Sequence, residues 1–250
     1  MTSTVPRTAG ATGATGATRA TRATRAVGIA GVAWAIAVKD LRVELRGRYA
    51  LVSVLPFAAT MLLAFGFALG PGRTLLVQTA PGLLWLAALF AAVELFHRSY
   101  QAEADGGALE GLLLAPVDKG AIYLGKAAAA AVQLLVLFVA TTVLVMVLFG
   151  LPLGDSPGLL VLTVLLGTVG LTAIGSLLGL LGVAARSRQA ALPLLILPLV
   201  SPVLIAAIRA TTVLTSGTTE QVGGWLGLLA AFDAAFIATG FLVFGHLLED

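Results

Sequence analysis

The sequence has no cysteine, two histidines and few charges, with Asp, Glu, Lys and Arg making up 11% of its 250 residues. The missing cysteines exclude disulfides, thiolate metal sites and a cysteine nucleophile. There is no His-Glu-x-x-His zinc-protease motif. Ser176, in Ile174-Gly175-Ser176-Leu177, lacks the second glycine of a serine-nucleophile elbow. These gaps leave no catalytic residue and no metal ligand set to assign. No basic stripe interleaved with aromatics exists either, so the net charge of +3 does not point to nucleic acid.

What the sequence does have is apolar bulk, at 59% hydrophobic residues with a mean hydropathy of +1.03. A soluble domain is nearer half apolar and a quarter charged, and a chain this long could not hide such an excess from water. A bilayer resolves the conflict, because apolar side chains face lipid freely while the backbone pairs within helices.

Residues 1–29 read as a low-complexity, disordered tail whose Ala, Thr and Arg triplets offer no apolar face to bury. It does not read as a secretory signal, because no apolar run with a cleavage site follows its arginines. Residues 30–48 mix Val32, Ile36, Leu41, Val43 and Leu45 with Lys39, Asp40, Arg42, Glu44, Arg46 and Arg48. That is too charged to span, and predicts an interfacial helix with its basic side near lipid phosphates and Trp34 at headgroup depth.

Six apolar segments follow, near 49–69, 75–97, 121–150, 158–184, 190–213 and 223–248, each long enough to cross a bilayer. The expected architecture is therefore all-α and polytopic, a single six-helix domain over 30–250. Thirteen of the fifteen Lys and Arg fall on the side of the N-terminus, and only Arg73 and Arg209 fall on the other. The positive-inside rule then expects both termini in the cytoplasm.

The longest polar stretch between spans, 98–120, holds an amphipathic piece with Leu109, Leu112 and Leu113 beside Glu103, Asp105 and Glu110. Periodicity alone fits a short helix docking a cytoplasmic partner and an ordinary solvated loop equally well. Gly120-Ala121-Ile122-Tyr123-Leu124-Gly125-Lys126 matches the glycines and lysine of a phosphate-binding loop. It lacks the following Ser or Thr and the preceding strand, so ATP would have to be hydrolysed by another subunit.

Asp233 falls inside the last segment and Glu94 near the end of the second. An intramembrane carboxyl marks function or a specific partner, unless it lies at a boundary reached by water. His97 and His246 stand at the ends of spans, as interfacial polar groups or as haem contacts. Gly167, Gly170, Gly175, Gly179 and Gly182 suit close helix packing in lipid. Pro193, Pro198 and Pro202 are expected to kink or divide the fifth span, as Pro81-Gly82 would the second.

Five stretches carry a resemblance to one family: 80–100, 107–126, 167–181, 192–207 and 228–250, with Leu109-Glu110-Gly111-Leu112-Leu113-Leu114-Ala115-Pro116 the most specific. The sequence resembles the haem exporter protein B family, CcmB, the permease of the cytochrome c maturation system. The resemblance covers about residues 32–250 and leaves the tail without a counterpart. It implies an ABC-2 type permease fold, non-catalytic, paired with a CcmA-like ATPase that alone binds ATP. It also implies CcmC-like and CcmD-like membrane subunits and a CcmE-like haem chaperone, in a bacterial inner membrane. Haem would be handled as a ligand, with no cofactor bound covalently. Residues 98–116 would be the coupling segment, with Leu109, Glu110, Leu112, Leu113 and Pro116 meeting the ATPase. Asp233 matches a Phe-Asp pair found in many members. The alternatives are a generic ABC-2 permease exporting a lipid or drug-like molecule, an integral membrane enzyme, and a proton-coupled carrier using Asp233.

Overall fold

The computed structural model describes the backbone of residues 28–47, 50–106, 119–184, 192–217 and 219–246. The tail up to residue 27 and the segment 107–118 lie outside the described residues. Among the described residues every regular element is helical. They are α1 (Ile29–Gly47), a π turn (Ala50–Val54), α2 (Leu55–Leu69), α3 (Arg73–Gly106), α4 (Lys119–Phe149), α5 (Pro157–Ala184), α6 (Leu192–Thr215) and α7 (Val222–His246). Six stretches are long and apolar enough to cross a membrane: Val52–Leu69, Arg73–Phe96, Gly120–Phe149, Pro157–Leu177, Pro198–Thr215 and Val222–Val243. The chain is thus an all-helical, polytopic membrane protein with a charged helix ahead of its spans.

Each element follows from local chemistry. The π turn sits just before Pro56, whose ring cannot donate to the preceding turn. Gly154 takes φ 69°, and the turn it makes brings the α4–α5 connection against the backbone of Leu214 at the end of α6. The fifth span is one helix, with Pro198 and Pro202 inside it rather than dividing it. Pro202 has no N–H for the Pro198 carbonyl four residues back, and the Ser201 hydroxyl donates to that carbonyl at 2.8 Å instead. Pro81 likewise lies within a continuous α3.

α3 also runs further than its apolar run suggests. Residues 98–106, read above as part of a polar loop, continue the helix. Its 34 residues reach roughly 50 Å, against a hydrocarbon core of about 30 Å. The charged end of α3 therefore projects from the membrane on the side that holds α1.

α5 lies at the centre and touches α3, α4, α6 and α7, while α2 packs on α3 and α4. α1 packs along the first part of α4. Its inner stripe is Ala33, Ile36 and Asp40, and its outer side exposes Trp34, Lys39, Arg42, Val43, Leu45 and Arg46. The basic side chains Lys39, Arg42 and Arg46 therefore face outward together with Trp34, as an interfacial helix requires.

Candidate functional site

In lipid, helices are held by close fit rather than by exclusion from water, so the contacts that matter are those small residues permit. Several glycines make such contacts. Gly167 of α5 receives the ring of Trp85 from α3, and Gly175 receives Phe96. Gly240 of α7 receives Tyr123 of α4, and Gly120 of α4 receives Phe241 of α7. Gly125 lies against α1, where a Cβ would stand 2.6 Å from the Ala33 carbonyl oxygen and 2.9 Å from the Ile36 Cβ. The packing of Gly179 and Gly182 lies outside the described residues.

Two of these aromatics also fix polar partners across the bundle. The Trp85 indole donates to the Thr211 hydroxyl at 2.9 Å and packs on Phe138 with ring centroids 4.9 Å apart. The Tyr123 hydroxyl donates to the Ala173 carbonyl at 3.1 Å. Both side chains are fully buried. Neither was singled out by sequence reasoning, because their partners lie 126 and 50 residues away.

The glycine and lysine pattern at 120–126 acquires a structural meaning here. Gly120 and Gly125 are landing places for α7 and α1. Lys126, with its side chain 4% exposed, reaches Asp40 of α1, with Nζ 3.6 Å from Oδ2. Lys39 holds the other Asp40 oxygen at 2.9 Å. Packing and an ion pair account for the residues that imitate a nucleotide motif.

Asp233 occupies the middle of α7, twelfth of its 25 residues, and is 4% exposed. It faces Gly170 of α5 and Val203 of α6, for a Cβ on Gly170 would stand 2.6 Å from Asp233 Oδ1 and 2.8 Å from Val203 Cγ1. Among the described residues neither carboxyl oxygen has a hydrogen-bond partner, and neither does the buried Thr168 hydroxyl. The carboxyl thus sits at mid-membrane depth, on a seam where three helices meet. Glu94 is partly exposed on α3, beside the buried Leu95 and Phe96. His246 is the last residue of α7 and His97 lies within α3 just past its apolar span, but their imidazoles lie outside the described residues. Leu109, Glu110, Leu112, Leu113 and Pro116 all lie outside the described residues. Among the described residues no three His, Cys, Asp or Glu side chains group to hold a metal ion.

An apolar cavity of about 390 Å³ opens at the opposite membrane face, between α2, the start of α3 and the end of α4. Leu62, Phe67, Leu76 and Phe149 are among the residues that line it, and it offers no polar side chain for recognition.

Among the described residues, six spans keyed by glycines enclose one buried carboxyl without a hydrogen-bond partner, an arrangement that fits a polytopic membrane permease. The chain belongs to the CcmB family: the family model described as "CcmB protein" matches residues 31–249. It is 32% identical to "Heme exporter protein B" of Bradyrhizobium diazoefficiens over 211 residues, covering 82% of this chain and 92% of that protein. The protein of the same name from Rhodobacter capsulatus is 32% identical over 206 residues, 82% of this chain and 92% of that one. That from Haemophilus influenzae is 31% identical over 196 residues, 78% and 87% of the two chains.

Proposed function

We propose that the chain is the membrane subunit of an ATP-driven exporter that handles haem for cytochrome c maturation, with ATP hydrolysis in a separate CcmA-like subunit. CcmC-like and CcmD-like subunits complete the complex, and a CcmE-like chaperone receives or releases haem on the far side. The chain lies in the inner membrane with both termini cytoplasmic, as the placement of thirteen of its fifteen basic residues supports. Haem is cargo or handled ligand, and the subunit's own contribution is movement rather than bond chemistry.

The observation that carries this reading is the setting of residues 107–118. On one side α3 projects past the membrane to Gly106, and on the other α4 begins at Lys119. Within two turns α4 is keyed into α7 at Gly120 and Tyr123, into α5 through the Tyr123 hydroxyl, and into α1 at Gly125 and Lys126. Force applied to that segment by a partner is passed to α1, α5 and α7 together. α5 and α7 are two of the three helices that meet at Asp233, where a change of tilt would open or hydrate the seam. Leu109, Leu112 and Leu113 would dock the partner, Glu110 would offer it a charge, and Pro116 would end the docking piece.

Replacing Glu110 by Lys together with Leu112 by Asp is expected to strip the ATPase from detergent-purified complexes and to cut c-type cytochrome yield at least tenfold. Unchanged co-purification with unchanged cytochrome maturation would overturn the coupling assignment.

A further inference from the structure

The seven residues from Gly120 to Lys126 do more than begin a span. α1 is bound to them twice over, by shape at Gly125 and by charge at Lys126. The absence of a Cβ at Gly125 lets Ala33 and Ile36 close in, since a Cβ there would stand 2.6 Å from the Ala33 carbonyl oxygen. One turn further along α1, Asp40 meets Lys126, and the pair is shielded, with side chains 17% and 4% exposed. A shielded pair behaves differently from a solvated one. Removing Asp40 withdraws a countercharge from the buried Lys126, and removing Lys126 leaves Asp40 held by Lys39 within α1 itself, so either substitution takes away the charge link between the two helices. The rest of α1 is arranged to stay at the lipid boundary, with Trp34 73% exposed and Val43 66% exposed on the outer side.

We propose that α1 and the first two turns of α4 form one moving body latched by the Lys126–Asp40 ion pair, so that a push on residues 107–118 carries α1 along with α4. The proposal rests on the ATP-driven reading above and adds a residue-level coupling device to it. Lys126 and Asp40 act as positioning residues and touch no cargo. α1 then works as a paddle at the membrane surface rather than as a passive anchor. Its exposed Lys39, Arg42 and Arg46 set its depth against anionic headgroups while the latch sets its angle to α4.

The test compares Lys126→Met, Asp40→Asn and the exchanged pair Asp40→Lys/Lys126→Asp in the full complex. Hydrogen–deuterium exchange of α1, ATP hydrolysis and haem-stained c-type cytochromes are measured for each. Either single substitution is expected to speed exchange in α1 at least tenfold and to lower cytochrome yield at least fivefold, with ATP hydrolysis kept within twofold. The exchanged pair is expected to bring both back to within threefold of the parent. Should it fail to accumulate, Lys126→Arg, which keeps the charge link to Asp40, is expected to hold α1 protection and yield within threefold of the parent in its place. Unchanged α1 exchange in the single variants would overturn the latch. Faster exchange with undiminished cytochrome yield would overturn the shared movement. A parent chain that supports no cytochrome maturation would instead overturn the transport reading, and the exchange data would still judge the latch.

Discussion

Replacing Gly167 by leucine is expected to weaken the folded bundle by about 2–6 kcal/mol in detergent. The estimate combines two effects. Overpacking a filled interior costs about 1–3 kcal/mol, and an indole N–H left without its acceptor costs about 1–3 more. Gly167 sits under the ring of Trp85, which is fully buried, bonded to Thr211 at 2.9 Å and packed at a tilt against Phe138. Each of those contacts would have to break for a side chain at 167 to fit. Phe96 over Gly175 has no comparable polar tether among the described contacts, so a substitution there should be milder. The check is thermal unfolding of the purified variant together with Trp85→Ala and the double variant. Trp85→Ala removes the obstacle, so the double variant should be less damaged than the sum of the singles. Strict additivity would mean that the ring and the glycine do not constrain each other.

Replacing Asp233 by asparagine is expected to do the reverse: the bundle gains about 1–2 kcal/mol while cytochrome maturation falls at least tenfold. A carboxyl is among the costliest side chains to place at mid-membrane, and a neutral amide of the same size is less costly to bury. Here the cost is not offset by any hydrogen bond to either oxygen. A side chain kept where it weakens the fold is the mark of a functional requirement rather than a structural one. Melting temperature in detergent and haem staining in cells give the two readings. A variant that loses stability and activity in parallel would assign Asp233 a structural role instead. Gly170→Ala should share the functional loss, because its Cβ would stand 2.6 Å from the Asp233 oxygen and must displace it.

These two residues also show what a sequence discloses in a protein of this type. The spans are local features, each announced by its own run of apolar residues, so their number and approximate limits are legible from composition alone. α1 is legible for the same reason, since its charges alternate with apolar residues within one short stretch. Asp233 stands out because a carboxyl in an apolar run is conspicuous. Its neighbours do not, because nothing local connects it with Gly170 on α5 or Val203 on α6. The continuation of α3 to Gly106 was hidden by Arg98, Glu103 and Asp105, which look the same on a solvated helix as in a loop. The prolines of α6 left a kink and a division both open, and the helix is undivided. A proline in a lipid-facing helix keeps its helix when a neighbour takes up the freed carbonyl, and Ser201 does so for Pro202. The meaning of 120–126 was legible only as an exclusion. That its glycines and lysine serve α1 and α7 depends on contacts with Ile36, Asp40 and Phe241, far away in the chain.

The central claim is that this bundle moves for a partner's ATP in the service of c-type cytochromes. It is tested most directly by haem staining of membranes from a strain lacking the chain, with and without the chain restored. The account predicts that the c-type bands vanish on deletion and return with the intact chain, but not with the Glu110→Lys/Leu112→Asp form. Undiminished bands in the deletion strain would contradict it.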